Sequence, residues 1–149
     1  IDLAKSRGPT YTHLDAKPSF ANLFLWKVIY STEKKFFVDA VYIGLSTKVH
    51  EGGSLDRLNI TREFPWLEAG SQAAVDIERF RWFSNGYIAK DPNRDDFIID
   101  VRYSIVPNEM TGLWGIRLFK EDQNKHALFE STRKVEMKMR TKFFKMLVD

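Results

Sequence analysis

Two runs of strand-forming residues stand close together near the start of this chain, and they limit what it can become more than any other feature. In FANLFLWKVIYST (Phe20–Thr32), Phe24, Trp26, Val28 and Tyr30 alternate onto one face of a strand, while the other face begins with Leu23 and Leu25 and turns polar at Lys27. FFVDAVYIGL (Phe36–Leu45) resumes the same chemistry after the polar turn Glu33–Lys34–Lys35. Neither run has helical spacing, so an antiparallel hairpin is expected.

The stretch before this hairpin, residues 1–17, holds Gly8, Pro9, Thr10 and Thr12 without periodicity and reads as an irregular arm or linker. Beyond the hairpin, Ser46–Arg57 with Gly52 and Gly53 reads as a loop, and a short strand is expected over Leu58–Phe64. Ser71 is placed to cap a helix through Ser84 in which Ala73, Ile77 and Phe80 share a face and Asp76 meets Arg79, with Asn85 and Gly86 suited to a left-handed end. Three more strands are expected over Tyr87–Ala89, Phe97–Val106 and Leu113–Phe119, joined by the turn chemistry of DPNRDD and PNEMTG. From Ser131 the chain lacks Gly and Pro, and Val135, Met139, Phe143 and Met146 recur at helical spacing.

Strands linked at hairpin length, with one central and one C-terminal helix, define the α+β class: a mostly antiparallel sheet of about five to six strands covered by two helices. At 149 residues the expectation is a single domain over 18–149. The 12 Phe, 5 Tyr and 4 Trp are too many to scatter over a surface and must fill a core, an interface or a binding face.

Composition also narrows the chemistry. There is no cysteine, which removes disulfides, thiolate metal sites and a thiol nucleophile. His13, His50 and His126 lie far apart and none has a helical metal-site partner. No cofactor is therefore expected in this segment. The longest apolar run, Phe20–Ile29, is broken by Asn22 and Lys27 and is too short to span a bilayer. Ile1 in place of an initiator Met, with no signal-peptide pattern, reads as a piece of a longer protein.

On the strand Phe97–Val106, Asp100 and Arg102 share a face: either an anion site or an ion pair, of which the pair is favoured. Arg117 could join Arg102 if the hairpin register aligns them, with Trp114 on the opposite face. At the end of the central helix, Arg81 and Trp82 could form a stacking and anion-binding corner, against a favoured reading in which Phe80 and Phe83 are core, Trp82 is half-buried and the arginines partner the negative end of the helix. These six residues are the candidate ligand-binding set. No nucleophile elbow, phosphate loop or paired-His motif occurs, and no strong nucleic-acid signal is present because the basic residues concentrate in the last nineteen, six basic against two acidic. There Lys134, Lys138, Lys142 and Lys145 form one stripe beside the apolar one, a pattern that suits an anionic lipid surface.

Three passages in this order, PSFANLFLWKVIY (Pro18–Tyr30), RFRWFSNGYIA (Arg79–Ala89) and DFIIDVRYSIVPNEM (Asp96–Met110), resemble the C-terminal soluble region of the bacterial membrane-bound predicted metal-dependent hydrolases. The matching positions are Phe20, Asn22 and Trp26; Arg81, Trp82, Phe83, Ser84, Gly86 and Tyr87; and Asp100 and Arg102, with Ala21 inserted where the family has Phe and Asn adjacent. The resemblance implies a soluble domain of an inner-membrane protein, itself noncatalytic and regulatory or docking, whose partner is the membrane-embedded part. It also implies that the divalent metal of the parent is held in that part, and no metal ligand is carried over to this chain. The alternative is an independent binding module for an anionic small molecule or nucleic acid.

Overall fold

The computed structural model describes residues 10–19 and 23–131 and has the α+β class read from the sequence. The described residues gather into two compact units, where a single domain was expected. One runs to Leu55 and includes Ser104–Met110; the other holds Asp56–Tyr103 and the described residues from Thr111 onward. The strands divide between two antiparallel sheets, because the sequence marks which segments are extended but not which edges they pair with.

In the first unit, β1 (His13–Pro18), β2 (Leu25–Ser31), β3 (Lys35–Ile43) and β4 (Thr47–His50) lie in that order, and β5 (Ser54–Asp56) shares the second edge of β3 with β4. The expected hairpin forms with Ser31 opposite Phe36 and Leu25 opposite Tyr42, its turn closed by N–H groups of Lys34 and Lys35 donating to Thr32 Oγ1 at 3.3 and 3.0 Å. The arm expected through Lys17 becomes a strand at His13, paired from His13 with Ser31 to Pro18 with Trp26. The expected Ser46–Arg57 loop is likewise replaced by β4 and β5.

Lys27, where the second face of β2 turns polar in sequence, is 4% exposed. Chain returning at Ser104–Met110 covers that face: Lys27 Nζ donates to Ser104 Oγ at 2.8 Å, and Val106 packs with Leu25 and Ala40. On the opposite face, Asp39 is fully buried, accepting from the Tyr30 hydroxyl and, at 2.8 Å, from the Gly52 N–H. Gly52 has no room for a side chain: an added Cβ would lie 2.1 Å from the Val38 carbonyl oxygen and 2.5 Å from that of Asn108.

The second unit opens with a single helical turn, α1 (Ile60–Glu63), where a strand over Leu58–Phe64 was expected. The Asn59 side chain decides the difference, because it accepts from the Arg62 N–H at 3.0 Å and starts a helix on residues with mixed preferences. The longer helix α2 (Gln72–Phe83) lies where its pattern predicts, with Ser71 Oγ accepting from the Ala74 N–H and Ala73, Ile77 and Phe80 buried. It packs in a core with Ile88, Ile98, Ile116 and Leu118. Ile88, Ile98 and Ile116 come from a sheet ordered β6 (Ile88–Lys90), β7 (Phe97–Asp100), β8 (Trp114–Arg117) and β9 (Leu128–Ser131), and Leu118 directly follows β8.

Strand β7 stops at Asp100, six residues before its expected end, and β8 is shorter than Leu113–Phe119. Strand β9 was not foreseen, and Ser131, the expected first residue of a C-terminal helix, belongs to it. The rest of that helix, with Lys134, Lys138, Lys142 and Lys145, lies outside the described residues, as do Phe20 and Asn22. Among the described residues no helix is long and apolar enough to cross a membrane.

Candidate functional site

The third sequence passage builds a buried ion pair. Asp100 is the last residue of β7 and has no exposed surface; its Oδ1 accepts from the Arg102 backbone N–H at 3.0 Å, a local bond that turns the chain out of the sheet. The turn brings the guanidinium back over the carboxylate. Arg102 Nε lies 3.0 Å from Oδ1 and 3.2 Å from Oδ2, and Nη2 donates to Oδ2 at 2.7 Å and to the Phe83 carbonyl at 3.1 Å. Trp114 Nε1 adds a donor to Oδ2 at 3.3 Å. Around them the Tyr103 and Trp114 rings lie 4.6 Å apart, with the Arg102 guanidinium 5.2 Å from the Tyr103 ring centre.

Five donor contacts converge on the Asp100 carboxylate, and the guanidinium is divided between that carboxylate and the end of α2. Such a fork supplies the charge-assisted hydrogen bonds that a buried carboxylate needs. It ties the end of β7 to the end of α2.

The register explains which candidates join this cluster. Phe97 pairs with Arg117, Ile98 with Ile116 and Ile99 with Gly115, so the following position brings Trp114 beside Asp100 and leaves Arg117 at the far end of β7. Arg117 does not join Arg102. It enters a separate network in which its Nε meets Asp96 Oδ2 at 2.8 Å while Arg94 Nη1 meets Glu130 Oε2 at 2.8 Å.

Arg81 is likewise engaged elsewhere, its Nε lying 3.2 Å from Glu78 Oε2 one turn back on α2. Around it, the second passage is a helix stop: Asn85 takes φ of 51° and Gly86 of 77°, the Asn85 N–H donates to Trp82 O at 3.1 Å, and that of Gly86 to Arg81 O at 2.9 Å. These two bonds satisfy carbonyls that any helix leaves open at its end. Ser84 is fully buried at this cap, and Tyr87, 7% exposed, follows with its carbonyl accepting from the Val101 N–H at 2.9 Å. In the first passage, Trp26 Nε1 donates to Leu23 O at 2.8 Å. The Trp82 and Phe83 side chains face outward instead, 86% and 54% exposed.

One cluster was missed from sequence. The Asp76 side chain, 11% exposed, accepts from the Ala127 N–H at 2.9 Å and Gln72 Nε2 at 3.0 Å, and lies 3.0 Å from His126 Nδ1. Burial pushes its carboxyl up, but the Ala127, His126 and Gln72 hydrogen bonds outweigh that and hold it below its ordinary value. The spacings of Asp76 to Gln72 and Arg79 are local; His126 stands fifty residues away, and no pattern announces that pair. A carboxylate oriented on an imidazole is the geometry of a general base, and the groove beside it is otherwise lined by Arg79 and apolar residues.

Among the described residues no three His, Cys, Asp or Glu side chains are grouped so as to hold a metal ion. No family model, no curated protein and no solved structure matches the chain.

Proposed function

We propose that this chain is a noncatalytic docking or regulatory domain attached to the membrane-embedded part of a bacterial inner-membrane protein resembling the predicted metal-dependent hydrolases. The observation that carries the reading is the fate of the third passage. Its ionisable residues, Asp100 and Arg102, bond to each other and to the end of α2. In the second passage Asn85 and Gly86 end that helix, while Trp82 and Phe83 stay exposed. The ionisable and turn residues of both passages thus support the fold, which favours reading the chain as an appendage. Metal and hydrolytic chemistry then belong to the membrane-embedded part, and the lysine stripe Lys134, Lys138, Lys142 and Lys145 supports an anionic lipid surface as a further partner.

The test is to co-express the membrane-embedded part and this chain as separate polypeptides and to purify on the former. Recovery of the chain, with changed activity of the membrane part when it is omitted, supports docking and regulation. Elemental analysis and hydrolase assays on the isolated, untagged chain provide the opposing result. One equivalent of zinc or manganese per chain, or hydrolysis by the chain alone, would overturn the proposal. The binding-module alternative is read by titrating inorganic phosphate while following the indole signal of Trp114, which is expected to stay fixed. Co-sedimentation with anionic but not neutral vesicles, lost when the four lysines become Gln, checks the lipid contact.

A further inference from the structure

One flank of α2 and the strands beside it enclose a groove that joins apolar walls to a polar cluster. Asp76, Arg79, Phe80 and Phe83 recur at spacings of three and four and so share that flank. With Ile116 and Phe129, which are paired across β8 and β9, and with His126 and Ala127, they line a space of about 300 Å³. Phe80 and Ile116 are buried, whereas Phe83 and Phe129 remain more than half exposed. The Phe80 and Phe83 rings lie 6.2 Å apart and 20° from parallel. An apolar groove with a few convergent polar groups is the usual form of a small-ligand site.

The charges and the rings together name the ligand. The Asp76 carboxylate is turned inward, its side chain 11% exposed, and its oxygens already accept from Gln72 and Ala127 and meet Arg79 and His126. The Arg79 and His126 side chains, 69% and 71% exposed, are what the cluster presents outward. Arg79 uses only Nη1 on Asp76, at 3.4 Å, and the rest of its planar fork is open to an anion. A carboxylate can only accept, so His126 Nδ1 carries the proton of the Asp76 contact, and Nε2 has no hydrogen-bond partner among the described residues. One guanidinium and one imidazole match the two oxygens of a carboxylate, whereas a phosphate would leave an oxygen without a donor. Aromatic walls favour a flat, apolar body.

We propose that this groove binds a small aromatic carboxylate, with its oxygens on Arg79 and His126 and its ring against Phe83 and Phe129. The site uses none of the residues of the Asp100–Arg102 pair. The inference goes beyond the docking role above and does not depend on it.

Naphthoate titrated into the isotope-labelled chain at about pH 6 is expected to shift the Ala127 amide and His126 imidazole NMR signals with a Kd of about 0.1–1 mM. Naphthamide, of nearly the same shape but uncharged, is expected to bind at least about tenfold more weakly. Arg79→Met removes only a long, exposed ion pair from the fold and is expected to weaken naphthoate by a similar factor. Phe129→Ser is expected to weaken it about fivefold, and Arg81→Met, whose guanidinium pairs with Glu78, to leave it unchanged. The amide spectrum of each variant checks that it remains folded. Absence of a saturable shift at Ala127 and His126 up to about 10 mM naphthoate overturns the proposal. So does equal affinity for naphthamide, or a folded Arg79→Met chain that binds naphthoate as the wild type does.

Discussion

Replacing Arg102 by Met tests the central structural claim, that the polar residues of the third passage form a lock. Arg102→Met keeps most of the aliphatic bulk but removes three guanidinium contacts of 3.2 Å or less to a carboxylate that has no exposed surface. Asp100 keeps its backbone partner at 3.0 Å and the longer Trp114 bond at 3.3 Å, neither of which carries a compensating charge. Breaking a buried pair from one side typically costs about 3–5 kcal/mol. The Arg102 side chain retains 15% exposure, so the low end, about 3 kcal/mol, is expected. For a chain of this size that corresponds to a melting temperature lower by roughly 6–12 °C.

Asp100→Asn combined with Arg102→Met removes the stranded charge while leaving a side-chain oxygen to turn the chain. This double variant is expected to recover about 1–2 kcal/mol relative to Arg102→Met alone. Arg81→Met, which breaks only the exposed one-turn pair with Glu78, is expected to cost about 0.2–0.5 kcal/mol. Urea unfolding followed by tryptophan fluorescence and circular dichroism measures all three. A loss below about 1 kcal/mol for Arg102→Met, the range of an exposed pair, would refute the reasoning. A double variant no more stable than the single one would do the same.

The Asp76 carboxyl is held below its ordinary value, so its hydrogen bonds contribute stability that is complete above the unfolded value near 3.8 and is lost as pH falls through the lower folded value. Asp76→Asn is therefore expected to flatten the acid limb of the stability curve below about pH 4, and acid titrations of equal steepness would refute this. Gly52→Ala forces a Cβ against two backbone oxygens that no rotamer change can move, and is expected to cost about 2–3 kcal/mol. Gly86→Ala, with φ of 77° but nothing within 4 Å of the added carbon, is expected to cost about 1–2 kcal/mol; thermal unfolding that ranked Gly86→Ala as the costlier would contradict the steric account.

Helix α2 was legible almost to the residue because all its signals are local: a serine cap, an apolar stripe at helical spacing, and Asn85–Gly86 to leave the helix. The β2–β3 hairpin was legible for the same reason, since two alternating runs and a three-residue polar turn specify it without reference to the rest of the chain. Strand β7 was overextended because alternation continues past Asp100, whereas the local bond from the Arg102 N–H to the Asp100 side chain ends it. The Asp100–Arg102 pair could be read at a spacing of two, but not the partners that complete it. Trp114 and the Phe83 carbonyl arrive through sheet register and helix packing, which depend on contacts distant in sequence.

Lys27 and Asp39 mark the clearest limit of the sequence. A lysine in an alternating strand reads as the solvent side, and here the return of Ser104–Met110 buries it, with a serine hydroxyl accepting its ammonium proton. Asp39 is enclosed on the other face, where the Tyr30 hydroxyl and the Gly52 N–H meet it. Periodicity determined which residues share a face, because side-chain direction is fixed by the local backbone. Which face is covered, and by what, was decided only when distant segments packed, since burial is a property of neighbours and not of the residue.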